Sequence, residues 1–262
     1  MFEQTYSVTA TPYDQASGFG LITASTPDAP GSFLHNGGWL AKHPTRTWHT
    51  TSAGVTSNGA GLPLIYAATV PTIGNYAVTI TLCASADTTV NITLGRRHLI
   101  ARNAPLSANT PQTFTALTHV GAYIHAAGAQ AATDLTVYAS VCAIACVTLL
   151  SVTIKQVNVP TLYIAGDSIA TDNEAYVPYA VDGHGCGWGQ QLELALSGIA
   201  IDNQAHNGMT TQTYRDTGNW ALIMQQLHAG DMVLLSFGHN DQKRADLAAY
   251  GGYATNLRRM IA

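Results

Sequence analysis

Three short polar segments of the chain carry residue types that could hydrolyse an ester. Gly166-Asp167-Ser168 presents a serine hydroxyl, Gly208 offers a backbone N–H that no side chain obstructs, and Asn240 adds a side-chain amide. A serine attacks a carbonyl carbon once a base has taken its proton. Because N–H donors stabilise the oxyanion that then develops, the segments predict acyl transfer with Ser168 as nucleophile.

Each segment also has an ordinary structural interpretation. Gly-Asp-Ser is common turn chemistry, in which Asp167 would order the loop, and the Asn and Gly residues of Asn203–Gly208 could simply satisfy turn geometry. In the third segment we expect Asp241 to cap the following helix. Taken singly, none of these segments decides between a catalytic and a structural role.

The elements that must position these segments favour the catalytic interpretation. Apolar runs of strand length occur at Val159–Ala165, Ile199–Asp202 and Asp231–Phe237, and helical patterns at Gly189–Ser197 and Thr211–Leu227. This alternation predicts a parallel sheet covered by helices on both faces. The three polar segments all follow predicted strands, at the sheet edge where α/β proteins bind their ligands.

The residues before this region have a different pattern. Short runs rich in Val, Ile, Thr and Tyr alternate with turn residues at Pro71–Asn75, Ser85–Asp87 and Asn103–Pro105, without intervening helices. Examples of such strand-like runs are Leu62–Val70, Tyr76–Ala84, Val90–Leu94, Thr113–Val120 and Leu135–Ala139. The chain is therefore predicted to have two domains, an antiparallel β-sandwich over residues 1–158 and an α/β domain over residues 159–262.

The motifs together resemble those of the SGNH (GDSL-like) hydrolases. The strings Tyr163–Ser168, Gly187–Gln190 and Phe237–Asp241 look most like the rhamnogalacturonan acetylesterase branch of that superfamily. The resemblance implies a flavodoxin-like α/β/α fold that deacetylates pectic polysaccharide fragments without a metal or other cofactor. It also implies that Ser168 is the nucleophile, with Gly208 and Asn240 as oxyanion donors.

The N-terminal half has its own resemblance. Tyr13-Asp14 and Gly18-Phe19-Gly20, in a strand-rich context, look like the galactose-binding-like sandwich that precedes some of these esterases. Such a domain could bind sugar or brace the catalytic domain, and we expect bracing because no aromatic platform is evident.

Two departures from the acetylesterase pattern concern the substrate and the base. Met209-Thr210 follows Gly208, where that branch usually has Arg-Ser. The family's acid–base pair is an Asp-x-x-His, yet none of the ten histidines has Asp three residues before it. His206 comes nearest, with Asn203 in that place, and the resemblance assigns the base role to neither His206 nor His239.

The missing pair predicts that the polypeptide is a fragment of a longer protein, or that another polypeptide supplies the remaining strands and the Asp-x-x-His. Only three parallel strands are predicted, which would leave an unpaired edge. Ala245–Ala262 is predicted to form an amphipathic helix that packs on this sheet. By itself the chain is expected to show little esterase activity, and its catalytic half is expected to be poorly stable or prone to aggregation.

Composition excludes several other classes of function. Charged residues make up 10% of the chain and the net charge is −4, which argues against a nucleic-acid groove or an anionic membrane surface. No apolar run is long enough to span a bilayer. The N-terminus lacks signal-peptide features, which predicts a cytoplasmic protein if Met1 is native and a secreted one if a leader was removed.

The remaining candidate residues are predicted to be structural. We expect Arg96-Arg97-His98 to be a solvated strand end rather than a uronate site, and Trp39 and Trp48 to pack rather than stack on sugar. The cysteines are expected to be reduced, buried thiols without a metal ligand set, Cys186 packing rather than acting as a nucleophile. They are Cys83, Cys142, Cys146 and Cys186.

The sequence therefore predicts a serine esterase that removes O-acetyl groups from carbohydrate, with an acetylated oligo- or polysaccharide as its partner. Two alternatives remain open. One is a non-catalytic carbohydrate-binding protein with a degenerate esterase domain, and the other is an SGNH lipase or thioesterase.

Overall fold

Antiparallel sheets form the N-terminal part of the protein and a parallel sheet forms the C-terminal part. The computed structural model describes residues 1–23, 48–57, 64–124, 128–143, 145–172 and 186–262. Trp39 and the side chain of Trp48 lie outside this description, so their predicted packing stays a prediction. Within the described residues, no helix has both the length and the apolar character needed to cross a membrane.

Two antiparallel sheets account for most of residues 1–157. The first contains β1 (Glu3–Ser7), β3 (Trp48–Thr51), β4 (Gly54–Ser57), β6 (Gly74–Ala84), β9 (Gln112–Val120) and β13 (Val147–Val157). The second contains β2 (Phe19–Leu21), β5 (Leu64–Thr69), β7 (Thr88–Leu94), β8 (His98–Leu106) and β12 (Thr136–Cys142), in the order β2-β5-β12-β7-β8. A short ribbon pairs β10 (Ala122–Tyr123) with β11 (Ala132–Thr133).

The two sheets pack face to face over one hydrophobic core. Val78, Ile80 and Leu82 alternate along β6 and are fully buried, as the period-two pattern predicts. They belong to the same cluster as Ile92 and Val137 of the second sheet. The predicted antiparallel β-sandwich is therefore present.

One predicted turn is instead part of a strand. The prediction of a turn at Asn103–Pro105 is wrong, because these residues lie in β8. The pairing of β7 with β8 shifts between Val90↔Ala104 and Ile92↔Ala101, so Asn103 lies in a bulge with a φ of 47°. Its backbone N–H donates to the Asn91 side chain over 2.7 Å, which shows that turn-forming residues can serve a β-bulge equally well.

The parallel sheet has three strands in the described part of the chain. They are β14 (Thr161–Gly166), β15 (Ala200–Asn203) and β16 (Met232–Ser236), in the order β15-β14-β16. Every residue of the central strand β14 is buried. A continuous apolar run suits a strand that is covered on both faces. The three runs in the sequence therefore predict these three strands, with small errors at the strand ends.

Helices cover both faces of this sheet. On one face, a 3-10 helix over Trp188–Leu194 packs against Leu162 and Ile164. On the other, Tyr163 and Ala165 pack against α1 (Thr211–Asp216) and α2 (Asn219–Gln226). The single helix predicted over Thr211–Leu227 is thus two helices, interrupted at Thr217-Gly218.

The C-terminal segment is only partly the predicted amphipathic helix. Short 3-10 turns span Asp241–Lys243 and Ala245–Leu247, and a π-type turn at Ala249–Tyr253 contains Gly251 in a non-helical conformation. A regular helix, α3, covers Ala254–Ile261. Leu257 and Met260 of α3 pack into the same cluster as Tyr163, so the predicted contact with the sheet is present where the helix is regular.

All four cysteines are free thiols, but their burial differs. Cys142 in β12 is buried, and Cys83 and Cys186 are half-buried. The prediction is wrong for Cys146, which is exposed because it lies in the connection between β12 and β13 rather than in a strand.

Candidate active site

The three predicted site residues lie at one edge of the parallel sheet. Ser168 follows the end of β14, Gly208 follows the end of β15, and Asn240 follows the end of β16. Since β15 and β16 both pair with β14 in parallel, the carboxyl ends of all three strands point the same way. This is the edge at which open α/β sheets bind ligands.

Hydrogen bonds join the loops that carry these residues. The N–H of His206 donates to the carbonyl of Gly166 over 3.0 Å, and the N–H of Asp167 donates to the carbonyl of Ser236 over 3.2 Å. The Asn240 amide donates to the carbonyl of Met209 over 3.0 Å. The three segments are thus held together by direct contacts.

The Ser168 side chain is half-buried and has no hydrogen-bond partner among the described residues. Its loop is ordered by Asp167, which is buried and accepts from the N–H of Ile169 over 3.0 Å. The carbonyl of Asp167 also accepts from the N–H groups of Ala170 and Thr171, each over 3.1 Å. An ordered loop therefore presents a hydroxyl that no described residue engages.

N–H donors suitable for an oxyanion are present at this edge. Within the described residues, the backbone N–H groups of Ser168 and Gly208 have no acceptor. Gly208 is exposed and has a φ of 77°, a conformation that favours glycine. Asn240 uses one of its two amide hydrogens on Met209, while Lys243 donates to its side-chain oxygen over 3.0 Å. The second amide hydrogen is available to a ligand.

Asp241 has a different role from the predicted one. Asp241 is the first residue of the 3-10 helix Asp241–Lys243 and therefore does not occupy its N-cap position. The N-cap residue is Asn240, and its side chain makes no capping hydrogen bond. The Asp241 carboxylate instead accepts from the backbone N–H of Thr211 over 2.9 Å and from the Thr211 hydroxyl over 2.5 Å. Asp241 therefore ties the loop after β16 to the first turn of α1, a contact that sequence neighbours could not indicate.

The Met209-Thr210 pair that departs from the acetylesterase pattern has a structural role. Met209 is buried in the cluster with Tyr163. Thr210 caps α1 through a reciprocal capping box with Thr213, its hydroxyl accepting from the Thr213 N–H over 3.0 Å. These two residues anchor the helix that follows the Gly208 loop.

No base contacts Ser168 within the described residues. His239 is exposed. His206 is half-buried and its ring stacks on that of Tyr123, with centroids 6.4 Å apart. A serine hydroxyl without a base is a poor nucleophile at neutral pH, so the residues described at this edge do not include a proton acceptor for the predicted nucleophile.

A buried ionic network links the sandwich to this edge. Arg96, between β7 and β8, donates from Nε to Asp172 over 3.0 Å and from Nη2 to Asp202 over 2.6 Å. The same Nη2 lies 2.6 Å from the carbonyl of Asn203, and the guanidinium lies over the Tyr123 ring. The prediction that Arg96-Arg97-His98 is a solvated strand end is wrong, and this position is also not open to a uronate.

His98 belongs to the same network. Its Nε2 lies 3.0 Å from Asp172, and its Nδ1 contacts Glu193 of the 3-10 helix. Burial opposes the charge on His98, but the Asp172 and Glu193 carboxylates outweigh it and raise the pKa of His98 to about 10. His98 is therefore a cation at neutral pH and helps to neutralise the buried carboxylates.

Two glycines of the Gly187–Gln190 string allow the 3-10 helix to approach the serine loop. A Cβ on Gly187 would lie 2.3 Å from the carbonyl oxygen of Thr171. A Cβ on Gly189 would lie 2.4 Å from the carbonyl oxygen of Ala170. Gly187 and Gly189 are thus explained by backbone-to-backbone packing.

The contact between the two halves extends beyond this network. Asn75 of β6 donates to the carbonyl of Val159 over 2.8 Å and to the Thr161 hydroxyl over 3.0 Å. Gln204, which follows β15, donates to the carbonyl of Ala122 over 2.8 Å. The sandwich therefore contacts both ends of the parallel sheet.

The titration of His98 leads to a prediction for stability. With a pKa raised from 6.5 to about 10 on folding, His98 contributes fully to stability below pH 6.5. This contribution is lost as the pH rises through 10. Urea unfolding should show the free energy of unfolding falling by on the order of 3 to 4 kcal/mol between pH 6.5 and 9.5.

His98→Gln should make this pH dependence shallower, since the variant has no group with a raised pKa at that position. His228→Gln is the matched control because the His228 side chain is 84% exposed. An identical slope in His98→Gln and in the unsubstituted protein would contradict the assignment of charge to His98.

Comparison with known proteins gives partial similarities. No family model matches the chain. Among solved structures, protein YXIM from Bacillus subtilis is 16% identical with a TM-score of 0.38, over 99% of this chain and 70% of that one. A carbohydrate-binding module of a Cellvibrio mixtus lichenase, in complex with cellotriose, is 13% identical with a TM-score of 0.29, over 43% of this chain and 88% of that one. At these TM-scores, neither likeness carries a conclusion about fold or function.

Sequence similarity to characterised proteins is more specific. Rhamnogalacturonan acetylesterase RhgT of Bacillus subtilis is 32% identical over 94 residues, which is 35% of this chain and 38% of that protein. A rhamnogalacturonan acetylesterase of Emericella nidulans is 35% identical over 81 residues, which is 31% of this chain and 28% of that protein. The alignments thus span well under half of either relative. Over about a third of its length, the chain is similar to rhamnogalacturonan acetylesterases, which confirms the resemblance stated from its motifs.

Proposed function

We propose that this chain supplies the nucleophile and the oxyanion donors of a serine esterase that removes O-acetyl groups from carbohydrate. The observation that carries the proposal is the position of Ser168, Gly208 and Asn240 on three hydrogen-bonded loops at one sheet edge. The names of the two acetylesterase relatives support acetylated pectic fragments as the substrate class.

The proposed reaction proceeds through an acetyl-enzyme. The Ser168 oxygen attacks the acetyl carbonyl carbon while a base takes the hydroxyl proton. The backbone N–H groups of Ser168 and Gly208 and the free amide hydrogen of Asn240 hold the oxyanion. The tetrahedral intermediate collapses, the protonated base gives its proton to the departing sugar oxygen, and water then hydrolyses the acetyl-serine.

We assign residues 159–262 to a flavodoxin-like domain and residues 1–158 to the sandwich that braces it. The strand order β15-β14-β16 places the first strand between the second and third, as in flavodoxin-like sheets. Among the described residues β16 pairs only with β14, and its Met232 and Leu234 are 53% and 41% exposed. A further strand in the same or another polypeptide would cover this edge and could bring the Asp-x-x-His base.

In a form that contains the base, p-nitrophenyl acetate should be hydrolysed, and Ser168→Ala should abolish this activity because no other group forms the acetyl-enzyme. The measurement is the initial rate of p-nitrophenol release, with circular dichroism to show that the variant is folded. Full activity in Ser168→Ala would make the nucleophile assignment wrong.

Loss of one oxyanion donor should slow the same reaction without abolishing it. Asn240→Ala should lower kcat by roughly 10²–10³ because the amide acts on the charge that develops in the transition state. Gln242→Ala is the matched control, since Gln242 is a neighbouring exposed amide whose side chain donates to the carbonyl of His239. Equal effects of the two substitutions would count against an oxyanion role for Asn240.

The 262-residue chain by itself should show little esterase activity and should aggregate through the β16 edge. Replacing Met232 and Leu234 together by lysine should reduce the aggregation seen by light scattering, because charge on an edge strand opposes pairing between chains. A double substitution at other exposed apolar residues, Met224→Lys and Ile261→Lys, serves as the control. If the chain is a stable monomer with ordinary esterase rates, it needs no further base and does not aggregate through the β16 edge, and both predictions are wrong.

A further inference from the structure

We infer that Arg96 of the sandwich is a positioning residue for the nucleophile loop, residues 167–172. The inference rests on the proposed function for its catalytic meaning, while the contacts themselves do not depend on it. Arg96 acts through Asp172 at the end of this loop and through Asp202 and Asn203 at the end of β15.

The shape of the Arg96 guanidinium suits it to hold two partners at once. Its donors lie in one plane at fixed angles, so a single side chain can hold two carboxylates at a defined separation. Nε holds Asp172, and Nη2 holds both Asp202 and the carbonyl of Asn203. Arg96 thereby fixes the end of the nucleophile loop relative to the strand from which the Gly208 loop departs.

Hydrogen bonds connect Asp172 to the rest of the nucleophile loop. The Asn203 amide donates to Asp172 over 2.6 Å and to the carbonyl of Ala170 over 2.7 Å. The Thr171 hydroxyl donates to the carbonyl of Ala205 over 2.7 Å. Because the Ser168 side chain has no hydrogen bond of its own among the described residues, its position follows from the anchors of its loop.

The buried carboxylates of Asp172 and Asp202 would be costly without a cation beside them. Asp172 and Asp202 are 7% and 3% exposed, so each carboxylate must be neutralised by nearby cations. Arg96 contacts both of these carboxylates, whereas His98 contacts Asp172 and Glu193. His119 lies 3.9 Å from Asp202, but burial lowers its pKa, so it adds no charge there at neutral pH.

It follows that the sandwich contributes directly to the geometry of the nucleophile. A binding module that was merely tethered to an esterase would not place a buried arginine between the nucleophile loop and the neighbouring strand. The turn between β7 and β8 is therefore part of the supporting structure of the candidate active site.

The test is Arg96→Lys, which keeps the positive charge but cannot reproduce the planar set of donors. Lys155→Met is the control, because Lys155 is a half-exposed cation of the same domain whose ion pair with Glu3 lies on the surface. Hydrogen exchange is measured at the backbone amides of Ala170 and Thr171, which close the nucleophile loop on Asp167. We expect at least about tenfold faster exchange in Arg96→Lys than in the unsubstituted protein or the control. The buried amides of β6 should be unchanged, which shows that the variant is folded.

Kinetics with p-nitrophenyl acetate, in the form that contains the base, provide a second readout. Arg96→Lys should lower kcat by about tenfold or more with little change in KM, because the loop's position affects the attack rather than the capture of this small substrate. If the unsubstituted protein shows no turnover that depends on Ser168, the proposed function fails, but the exchange result still decides the positioning. Unchanged exchange at Ala170 and Thr171 in a folded Arg96→Lys protein would overturn the inference.

Discussion

The buried contact of Arg96 with Asp172 and Asp202 is the interaction on which the arrangement of this protein depends. Removing charges from water is costly, and the cost is recovered only when each charge meets partners in good geometry. Here the network includes two cations, Arg96 and His98, with the carboxylates of Asp172, Asp202 and Glu193. The sandwich supplies the cations and the parallel-sheet region supplies the carboxylates, so neither part satisfies its buried charges without the other.

This division of charge determines where the candidate site lies. Asp202 and Asn203 end β15, and Asp172 ends the loop that begins after β14. The network therefore meets the sheet at its carboxyl edge, next to the loops of Ser168 and Gly208. At the amino ends of the parallel strands, Asn75 hydrogen-bonds to Val159 and Thr161 at the start of β14. The sandwich thereby contacts both ends of the parallel strands.

Local patterns in the sequence were sufficient for the parallel strands and for the positions of Ser168, Gly208 and Asn240. Each of these residues follows a continuous apolar run, and such a run predicts a buried strand without knowledge of its partners. Turn chemistry was less reliable: Asn103 forms a bulge within β8, because a residue that tolerates a positive φ suits bulges as well as turns.

The ionic network could not be predicted in the same way. Arg96 is 76 residues from Asp172 and 106 from Asp202, and no spacing rule connects residues so far apart. A run of basic residues at a strand end is usually solvated, and here only the docking of the two halves removes it from water. The role of Asp241 was missed for the same reason, since its partner Thr211 begins α1, 30 residues earlier in the chain.

Arg96 and Asp202 should stabilise the protein jointly across the contact between its two halves. This coupling can be measured by a double-mutant cycle with Arg96→Met and Asp202→Asn, with free energies of unfolding taken from urea titrations at neutral pH. We expect a coupling energy of at least about 1 kcal/mol, because each single substitution leaves the other charge without its main partner. If the two single effects add to within about 0.5 kcal/mol, Arg96 and Asp202 do not stabilise the protein jointly.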